Sequence, residues 1–417
     1  MMDMGKIPAI LPNCEIRAVQ GAVVSLGVKN IPIVGLSSER NCLTFQSKFI
    51  KQKLFSPATD DADEFLGLLI DKKTPKGILL PSNDKSVVLF SQNREKIESA
   101  GFLMNIPSET SLKNGFDKWE CYNIAKSLNI PCASTVLLES VHDLNKIKSN
   151  IPYPFIIKAT TLAGGNYIRV YNHDEIDQAY EKMLELITSP KNELLNANLI
   201  AQEWLFYDME DIWCVEAYYD KNGEAVGFYP IKKTRTVIYN DGTYGSRLYA
   251  GEYVHNELIV DLTKKMLDYL EWRGFAHLDW VYCKNKNQFY LTEINPRLPG
   301  FSYLPYKAGF DMAYYYYADM VCEKRFTKRT KIYPVIYFES LRYPGDLSSS
   351  LSAICKGQYD FKKFISSYLR IFTSRKKLVL DLFYTEDIKL TCLNLFRIIK
   401  DISDELFEFF FNRMLKR

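Results

Sequence analysis

Histidine is scarce in this 417-residue sequence, and its cysteines never occur in closely spaced pairs. There are four His and nine Cys, and no two Cys form a Cys-x-x-Cys arrangement. Structural zinc sites need four such ligands close together, so these numbers argue against one. The odd number and irregular spacing of the cysteines predict free thiols, as in a reducing cytosol.

A strong net charge and long hydrophobic runs are also missing. The formal net charge is +3, which does not predict a nucleic-acid partner. No apolar run approaches the ~20 residues that cross a bilayer, and the N-terminal residues do not resemble a signal peptide. We therefore expect a soluble cytoplasmic protein. The basic, Phe-rich C-terminal stretch leaves three interpretations open: docking on the body, a homodimer contact, or contact with a membrane surface.

The first hundred residues alternate short apolar runs with helical patterns. Residues 31–36 and 78–80 have the pattern of strands, and residues 15–29 repeat apolar side chains at helical spacing. Strict alternation predicts a parallel sheet with helices on its faces. The Gly-x-Gly-x-x-Gly fingerprint is missing, so no dinucleotide is predicted. Residues 81–84 end one strand and form either a ligand-binding loop or a helix N-cap.

The two predicted strands around residues 284–287 carry the most informative side chains. The first strand contains Asp279, and the second contains Glu293 and Asn295, which are two residues apart and share one face. The short turn should place Asp279 roughly opposite that face, so three oxygen-bearing side chains converge. Such oxygens suit Mg²⁺, which takes few protein ligands together with phosphate oxygens. The alternative is a solvated hairpin edge, but facing carboxylates would then repel each other.

Several basic residues stand where they could neutralise an anion. Arg297 directly follows the second strand and offers a bidentate fork to phosphate or carboxylate. Lys158 ends a predicted strand just before a Gly164-Gly165 turn, whose backbone N–H groups suit phosphate. Lys118 opens a helix, where anions are favoured. Arg235 ends a basic cluster that fits an anionic substrate. For each of these side chains, a surface ion pair or a solvated charge is the alternative.

In their order along the chain, these motifs resemble the ATP-grasp superfamily from about residue 8 to residue 325. The Glu-Ile-Asn-Pro-Arg string at 293–297 is the most specific of them. The resemblance implies that Asp279, Glu293 and Asn295 bind Mg²⁺. It also implies that phosphate is contacted by Lys118, Lys158, Gly164 and Gly165, and that adenine is held by a hinge of Gln202, Glu203, Trp204 and Leu205. Glu210 would bind the ribose. Arg297 and Arg235 would lie at the transferring phosphoryl group or the substrate.

The resemblance also implies the architecture, a combination of α/β and α+β. Residues 1–108 would form a Rossmann-like parallel pre-ATP-grasp domain, and residues 109–325 a two-lobed ATP-grasp domain. Within the latter, the phosphate-loop lobe would occupy about 150–200 and the catalytic lobe about 201–325. Residues 326–417 would form a mixed, largely helical C-terminal extension.

Within the superfamily, the chain resembles carboxylate–amine ligases of the D-aspartate ligase type and the large chain of carbamoyl-phosphate synthase. This resemblance implies ATP and Mg²⁺, with Mn²⁺ as an alternative metal, and small-molecule carboxylate and amine substrates joined through an acyl phosphate. Three other interpretations remain open. They are a carboxylase or kinase on the same fold, a non-catalytic ATP-binding assembly or regulatory protein, and a membrane-peripheral protein acting on envelope precursors.

Overall fold

The computed structural model describes residues 7–140, 143, 147, 151–162, 166–239, 243–322, 335–338 and 343–400. Its strands form three sheets, two of four strands and one of seven. Gly164, Gly165 and the last seventeen residues, 401–417, lie outside the described part. The predicted helix over 389–417 is therefore described only as far as residue 400, and residues 388–400 are helical.

The first sheet is parallel, as the alternating N-terminal pattern predicts. Its order is β3-β2-β1-β4. The polar strand β3, with its charged side chains exposed, lies at the edge and was not predicted. The strands are β1 Ala9–Leu11, β2 Ile33–Ser37, β3 Ile50–Phe55 and β4 Ile78–Leu79, and the helices are α1 Arg17–Gly27, α2 Ala62–Ile70, α3 Asp84–Gln92 and α4 Arg94–Ser99.

The second sheet is antiparallel and has the order β5-β8-β6-β7. Its apolar side chains pack with those of the following helix into one core that includes Phe155, Ile157 and Met183. Two helices precede this sheet, α5 Glu109–Phe116 and α6 Lys118–Ser127. The strands are β5 Thr135–Leu138, β6 Phe155–Ala159, β7 Tyr167–Val170 and β8 Leu199–Glu203, and the helix that packs on them is α7 Ile176–Ile187.

The third sheet has seven strands in the order β13-β12-β9-β10-β11-β14-β15. Its pairs are antiparallel except for the last, β14 with β15. The strands are β9 Ile212–Tyr219, β10 Ala225–Ile238, β11 Tyr244–Tyr253, β12 Gly274–Cys283, β13 Gln288–Asn295, β14 Val335–Phe338 and β15 Lys377–Leu380. The helices are α8 Glu257–Tyr269, α9 Tyr303–Lys307, α10 Met312–Val321, α11 Tyr343–Cys355 and α12 Phe361–Thr373.

Strands β14 and β15 come from the stretch that the sequence assigned to a largely helical extension. They nevertheless continue the seven-stranded sheet, because β14 pairs with β11 and β15 pairs with β14. This stretch is thus mixed in structure, as expected, but it is also part of the main sheet. In the described part of the chain, no helix is both long enough and apolar enough to cross a bilayer.

Candidate active site

A cleft of about 870 Å³, which includes space open to solvent, lies between the second and third sheets. One wall comes from α6, β6, β7 and β8, and the other from β9, β11, β12 and β13. Its charged lining residues are Lys118, Lys158, Glu203, Asp279 and Glu293.

Two of the cleft's carboxylates stand directly opposite each other, since Asp279 pairs with Glu293 in the register of β12 and β13. The expected facing of these two side chains is therefore confirmed, and their binding of Mg²⁺ stays a prediction. Asn287, in the turn, adopts the left-handed conformation that a tight reversal needs (φ 49°). Asn295 is buried and donates a hydrogen bond from Nδ2 to Oε1 of Glu293 at 3.3 Å. Adjacent carboxylate and amide oxygens fit a hard divalent cation.

A buried charge network holds Asp279. Lys233 Nζ lies 2.6 Å from Oδ1 of Asp279, and His277 Nε2 lies 3.2 Å from Oδ2. His277 Nδ1 is in turn 2.6 Å from Glu216 Oε1. Burial opposes the charged form of His277, but Glu216 and Asp279 together raise the pKa of His277 to about 9. Despite the opposing effect of burial, Lys233 and His277 hold the pKa of Asp279 far below its usual range.

Sequence reasoning did not assign this network to the site. Lys233 belongs to the basic cluster that Arg235 ends, but the pattern did not predict its contact with Asp279, and no motif pointed to Glu216. The signal that would have found them is a charged residue inside an otherwise apolar strand, because such a residue needs a partner on the neighbouring strand. Register supplies that partner, since His277 pairs with Glu216 between β12 and β9.

Two lysines face the carboxylates from the other wall. The side chain of Asp117 accepts hydrogen bonds from the backbone N–H groups of Trp119 and Glu120, which starts α6 at Lys118. Lys118 Nζ donates to the carbonyl of Leu162 at 2.8 Å and lies 3.5 Å from Glu293 Oε2. Burial and then the positive charge of Lys118 lower the pKa of Lys158 to about 7. An anion bound between the two ammonium groups would remove this repulsion.

The predicted hinge residues all line the cleft, from Gln202 to Leu205. Trp204 belongs to an aromatic group that sequence reasoning missed, although the high tyrosine content was apparent. Its ring lies 6.0 Å from that of Tyr167 and 6.1 Å from that of Tyr207, and the Arg169 guanidinium stacks on it at 3.7 Å. Tyr167 also contacts Tyr239 edge-on at 6.2 Å, which links the two walls.

Arg297 connects the hairpin of β12 and β13 to helix α3 of the N-terminal region. Its Nε lies 3.2 Å from Oδ1 of Asp84, the first residue of α3. Asn83 caps that helix by accepting a hydrogen bond from the backbone N–H of Ser86, so the N-cap interpretation of this segment is confirmed. The contact brings the carboxyl end of a parallel strand next to the hairpin, where open α/β sheets place their ligands.

Four sequence-predicted site residues lie away from the cleft or outside the described part. Arg235 is fully buried and binds Asp346 with both Nε and Nη2, each at 2.7 Å, so it faces α11 and not the cleft. Glu210 is exposed and lines a neighbouring cavity that shares only Tyr244 with the cleft. Gly164 and Gly165 fall among the residues that are not described.

The parallel first domain, the two facing sheets and the cleft between them define the ATP-grasp fold. The biotin carboxylase domain of the Hydrogenobacter thermophilus 2-oxoglutarate carboxylase has the same fold. It superposes with a TM-score of 0.61 at 14% identity, over 78% of this chain and 73% of that one. That structure is a complex with magnesium ADP and bicarbonate.

Among curated proteins, the chain is similar to two enzymes, although no family model matches it. It is 21% identical to D-aspartate ligase of Enterococcus faecium over 273 residues, and this aligned stretch covers 62% of each chain. It is 22% identical to formate-dependent phosphoribosylglycinamide formyltransferase of Sulfurisphaera tokodaii over 241 residues. This aligned stretch covers 55% of this chain and 58% of that enzyme. The matched stretch thus spans less than two thirds of either relative.

Proposed function

We propose that this chain is an ADP-forming carboxylate–amine ligase that uses ATP with Mg²⁺ or Mn²⁺. The observation that carries the proposal is the facing pair of Asp279 and Glu293 at the cleft, opposite Lys118 and Lys158. This arrangement joins a cation site to an anion site, as a metal–triphosphate complex requires. Similarity to a D-aspartate ligase supports carboxylate and amine substrates.

The proposal assigns roles to the charged and hinge residues described above. Asp279, Glu293 and Asn295 would hold the divalent ion, and the bound metal–nucleotide supplies a transferable phosphoryl group. Lys118 and Lys158 would neutralise phosphate oxygens, a task that the Gly164-Gly165 turn is proposed to share. The hinge from Gln202 to Leu205 would hold adenine, with Trp204 contributing an aromatic face.

The reaction would proceed in two balanced steps. An oxygen of the substrate carboxylate forms a bond to the γ-phosphorus, and ADP leaves with the electrons of the broken P–O bond. The amine nitrogen then attacks the carbonyl carbon of the acyl phosphate, phosphate leaves, and the nitrogen loses a proton. Arg297 would stabilise the charge on the transferring group. Arg235 and Glu210 are not carried into this site, because their side chains lie away from the cleft.

The test is ADP release from the purified chain with ATP, Mg²⁺ and sets of amino acids and other small carboxylates and amines. We expect turnover only when a carboxylate and an amine are both present. Glu293→Gln keeps the size of the side chain but removes the charge, so ADP release should fall on the order of 100-fold. Glu185→Gln, on the exposed face of α7, is the matched control and should have no effect.

Other results would point to other activities. Turnover with bicarbonate and no amine would indicate a carboxylase, and phosphorylation of a hydroxyl acceptor would indicate a kinase. Tight binding of Mg-ATP without turnover would indicate a non-catalytic ATP-binding protein. Full turnover by Glu293→Gln would refute the metal assignment itself.

A further inference from the structure

Three neighbouring strands of the third sheet place six side chains in two rows on the face that carries Asp279 and Glu293. Residues that pair directly across β9, β12 and β13 share a face of the sheet, and so do residues two apart on one strand. The two rows are Glu216, His277 and Asn295, and Cys214, Asp279 and Glu293. The sheet therefore brings Glu216, from the strand beside the hairpin, into line with the proposed ligands of the divalent ion.

Glu216 is a carboxylate in the core, and only one of its two oxygens has a hydrogen-bond partner among the described residues. The residue is fully buried, and its Oε1 lies 2.6 Å from Nδ1 of His277. Its Oε2 is also buried and has no such partner in the described part of the chain. An unsatisfied buried carboxylate oxygen costs free energy, so stability alone does not explain this residue, whereas a role in a site would.

His277 links Glu216 to Asp279 through both nitrogens of its ring. Its Nδ1 bonds Oε1 of Glu216, and its Nε2 lies 3.2 Å from Oδ2 of Asp279. An ionised carboxylate only accepts hydrogen bonds, so each ring nitrogen donates one and the ring carries a positive charge. Phe301 contacts the ring edge-on, with 5.9 Å between the ring centres. Because rotation of the imidazole would break both bonds, Glu216 fixes the direction from which His277 holds Asp279.

Glu216 also balances positive charge behind the proposed metal site. Lys233 and His277 are buried cations, and both lie against Asp279. Asp279 can match only one of them, and Glu216 supplies a second negative charge. Without Glu216, the net positive charge of this group would oppose a divalent ion between Asp279 and Glu293.

We propose that Glu216 is a positioning residue for the divalent ion, which it does not touch itself. Through His277 it orients the Asp279 carboxylate, and its charge keeps the site attractive to a cation. This role rests on the proposed function, in which Asp279 and Glu293 bind Mg²⁺ or Mn²⁺. Residues that orient metal ligands from behind commonly change metal affinity roughly 10- to 100-fold when they are replaced.

A metal ion bound by Glu216 itself is the competing role. Ligand atoms of Cys214, Glu216 and His277 lie within 4.8 Å of one another. However, each ring nitrogen of His277 already donates to a carboxylate, which leaves no lone pair for a metal. We therefore assign positioning, and not ligation, to Glu216.

The test is binding of Mn²⁺ to the full chain in the presence of ADP, followed by the EPR signal of the ion, so that the readout does not require turnover. Glu216→Gln keeps the size of the side chain and an acceptor for His277 but removes the charge. We expect the dissociation constant for Mn²⁺ to rise on the order of tenfold. Affinity for ADP without metal should stay unchanged, which a general loss of structure would not allow.

Glu216→Asp is the second variant, because it retains the charge but shortens the reach to His277. It should lower the affinity for Mn²⁺ less than Glu216→Gln does. The matched control is Glu257→Gln, which removes the charge of a side chain that is 86% exposed on α8. This control should bind Mn²⁺ like the unmodified chain.

Failure of this role and failure of the proposed function give different results. If the unmodified chain binds no Mn²⁺, or if Glu293→Gln binds it fully, the proposed metal site itself is refuted. If Glu293→Gln loses Mn²⁺ while Glu216→Gln and Glu216→Asp bind it like the unmodified chain, only the positioning role is refuted. Stoichiometric zinc that purifies with the chain and is lost in Cys214→Ser would show that Glu216 binds metal directly, which also overturns the positioning role.

Discussion

Asp279 and Glu293 differ in how far neighbouring positive charges balance their own negative charges. Asp279 is held by both Lys233 and His277. Glu293 has one ion pair in the described part of the chain, at the longer distance of 3.5 Å from Lys118. Since Asp279 and Glu293 face each other, the uncompensated negative charge is concentrated on Glu293. This is why Glu293 is the residue whose charge we expect to matter most for metal binding.

The proposed role of Lys158 predicts that nucleotide binding depends on pH. Its pKa of about 7 means that the ammonium form is nearly complete only below neutral pH. Phosphate oxygens favour the charged form, so nucleotide binding should raise this pKa and take up a proton. Affinity for Mg-ATP should therefore be full below about pH 6 and fall as pH rises from about 7 to 9. Titration calorimetry in buffers of different ionisation enthalpy measures both the affinity and the proton uptake.

Lys158→Arg provides the matched control for this effect. Arginine stays charged throughout the range, so the affinity of the variant should be nearly independent of pH, without proton uptake. A flat pH dependence of affinity in the unmodified chain would contradict the prediction.

At the scale of elements, the side chain of Arg235 joins β10 to α11 and α12. Arg235 donates to Asp346 and Ser350 on α11 and to Ser367 on α12. Its guanidinium also lies 4.2 Å from the ring centre of Tyr368. A buried guanidinium is stable only when its charge and its donors are all satisfied, and here two helices supply the partners.

Replacing Arg235 should therefore destabilise the protein more than it affects the chemistry. Arg235→Ala leaves the Asp346 carboxylate buried without its cation, which should cost about 3–5 kcal/mol of unfolding free energy. Denaturant unfolding measures this change. Arg247→Ala, an exposed arginine on β11, should stay within about 0.5 kcal/mol.

A second variant separates charge from packing at this position. Adding Asp346→Leu to Arg235→Met removes both charges and should recover a large part of the loss. If Arg235→Ala unfolds like the unmodified chain but stops turnover, the original assignment of Arg235 to catalysis would be restored.

At the scale of the whole molecule, the end of the described chain returns to its beginning. Asp387 accepts hydrogen bonds from the Ser47 hydroxyl at 2.5 Å and from the backbone N–H of Lys48 at 3.1 Å. Arg17 forms an ion pair with Asp381 at 2.8 Å. Leu390 and Tyr384 are buried in the same core as the first sheet. The C-terminal stretch is therefore part of the structural body that carries the cleft.

Ending the chain at residue 325 should prevent stable folding. The truncation removes β14 and β15 from the main sheet and exposes the core that Leu382, Tyr384 and Leu390 cover. We expect an aggregated product, or one without a cooperative thermal transition by calorimetry. A chain ending at residue 400 is the control and should keep its transition. A soluble, cooperatively folding chain of residues 1–325 would show that the extension is an independent unit.

Local patterns were sufficient for much of the fold and for the centre of the site. The strand pattern at residues 78–80 predicted β4 to within one residue, and the short turn between β12 and β13 predicted that Asp279 would lie roughly opposite the face that carries Glu293. Counting back from the turn would place Asp279 opposite Thr292, but a β-bulge between Asp279 and Trp280 shifts the register by one residue, so that Asp279 pairs with Glu293. The edge strand β3 was missed because its exposed polar residues lack an apolar pattern.

Distant partners could not be predicted in this way. Arg235 looked like a substrate arginine because its neighbours in sequence are basic, but the carboxylate that binds it is 111 residues further along the chain. Strands β14 and β15, of four residues each, are too short to be distinguished by periodicity and are defined only by the sheet they join.

The amino-acid sequence by itself determined the alternating first domain, the placing of three oxygen-bearing side chains on the two hairpin strands and the order of the basic residues, because each depends on spacing within a few residues. The tertiary structure alone decided which cations reach those carboxylates and which carboxylate binds the buried Arg235. Those outcomes depend on contacts between segments far apart in the chain, and their free energy is set by burial and neighbouring charge, which local spacing does not encode.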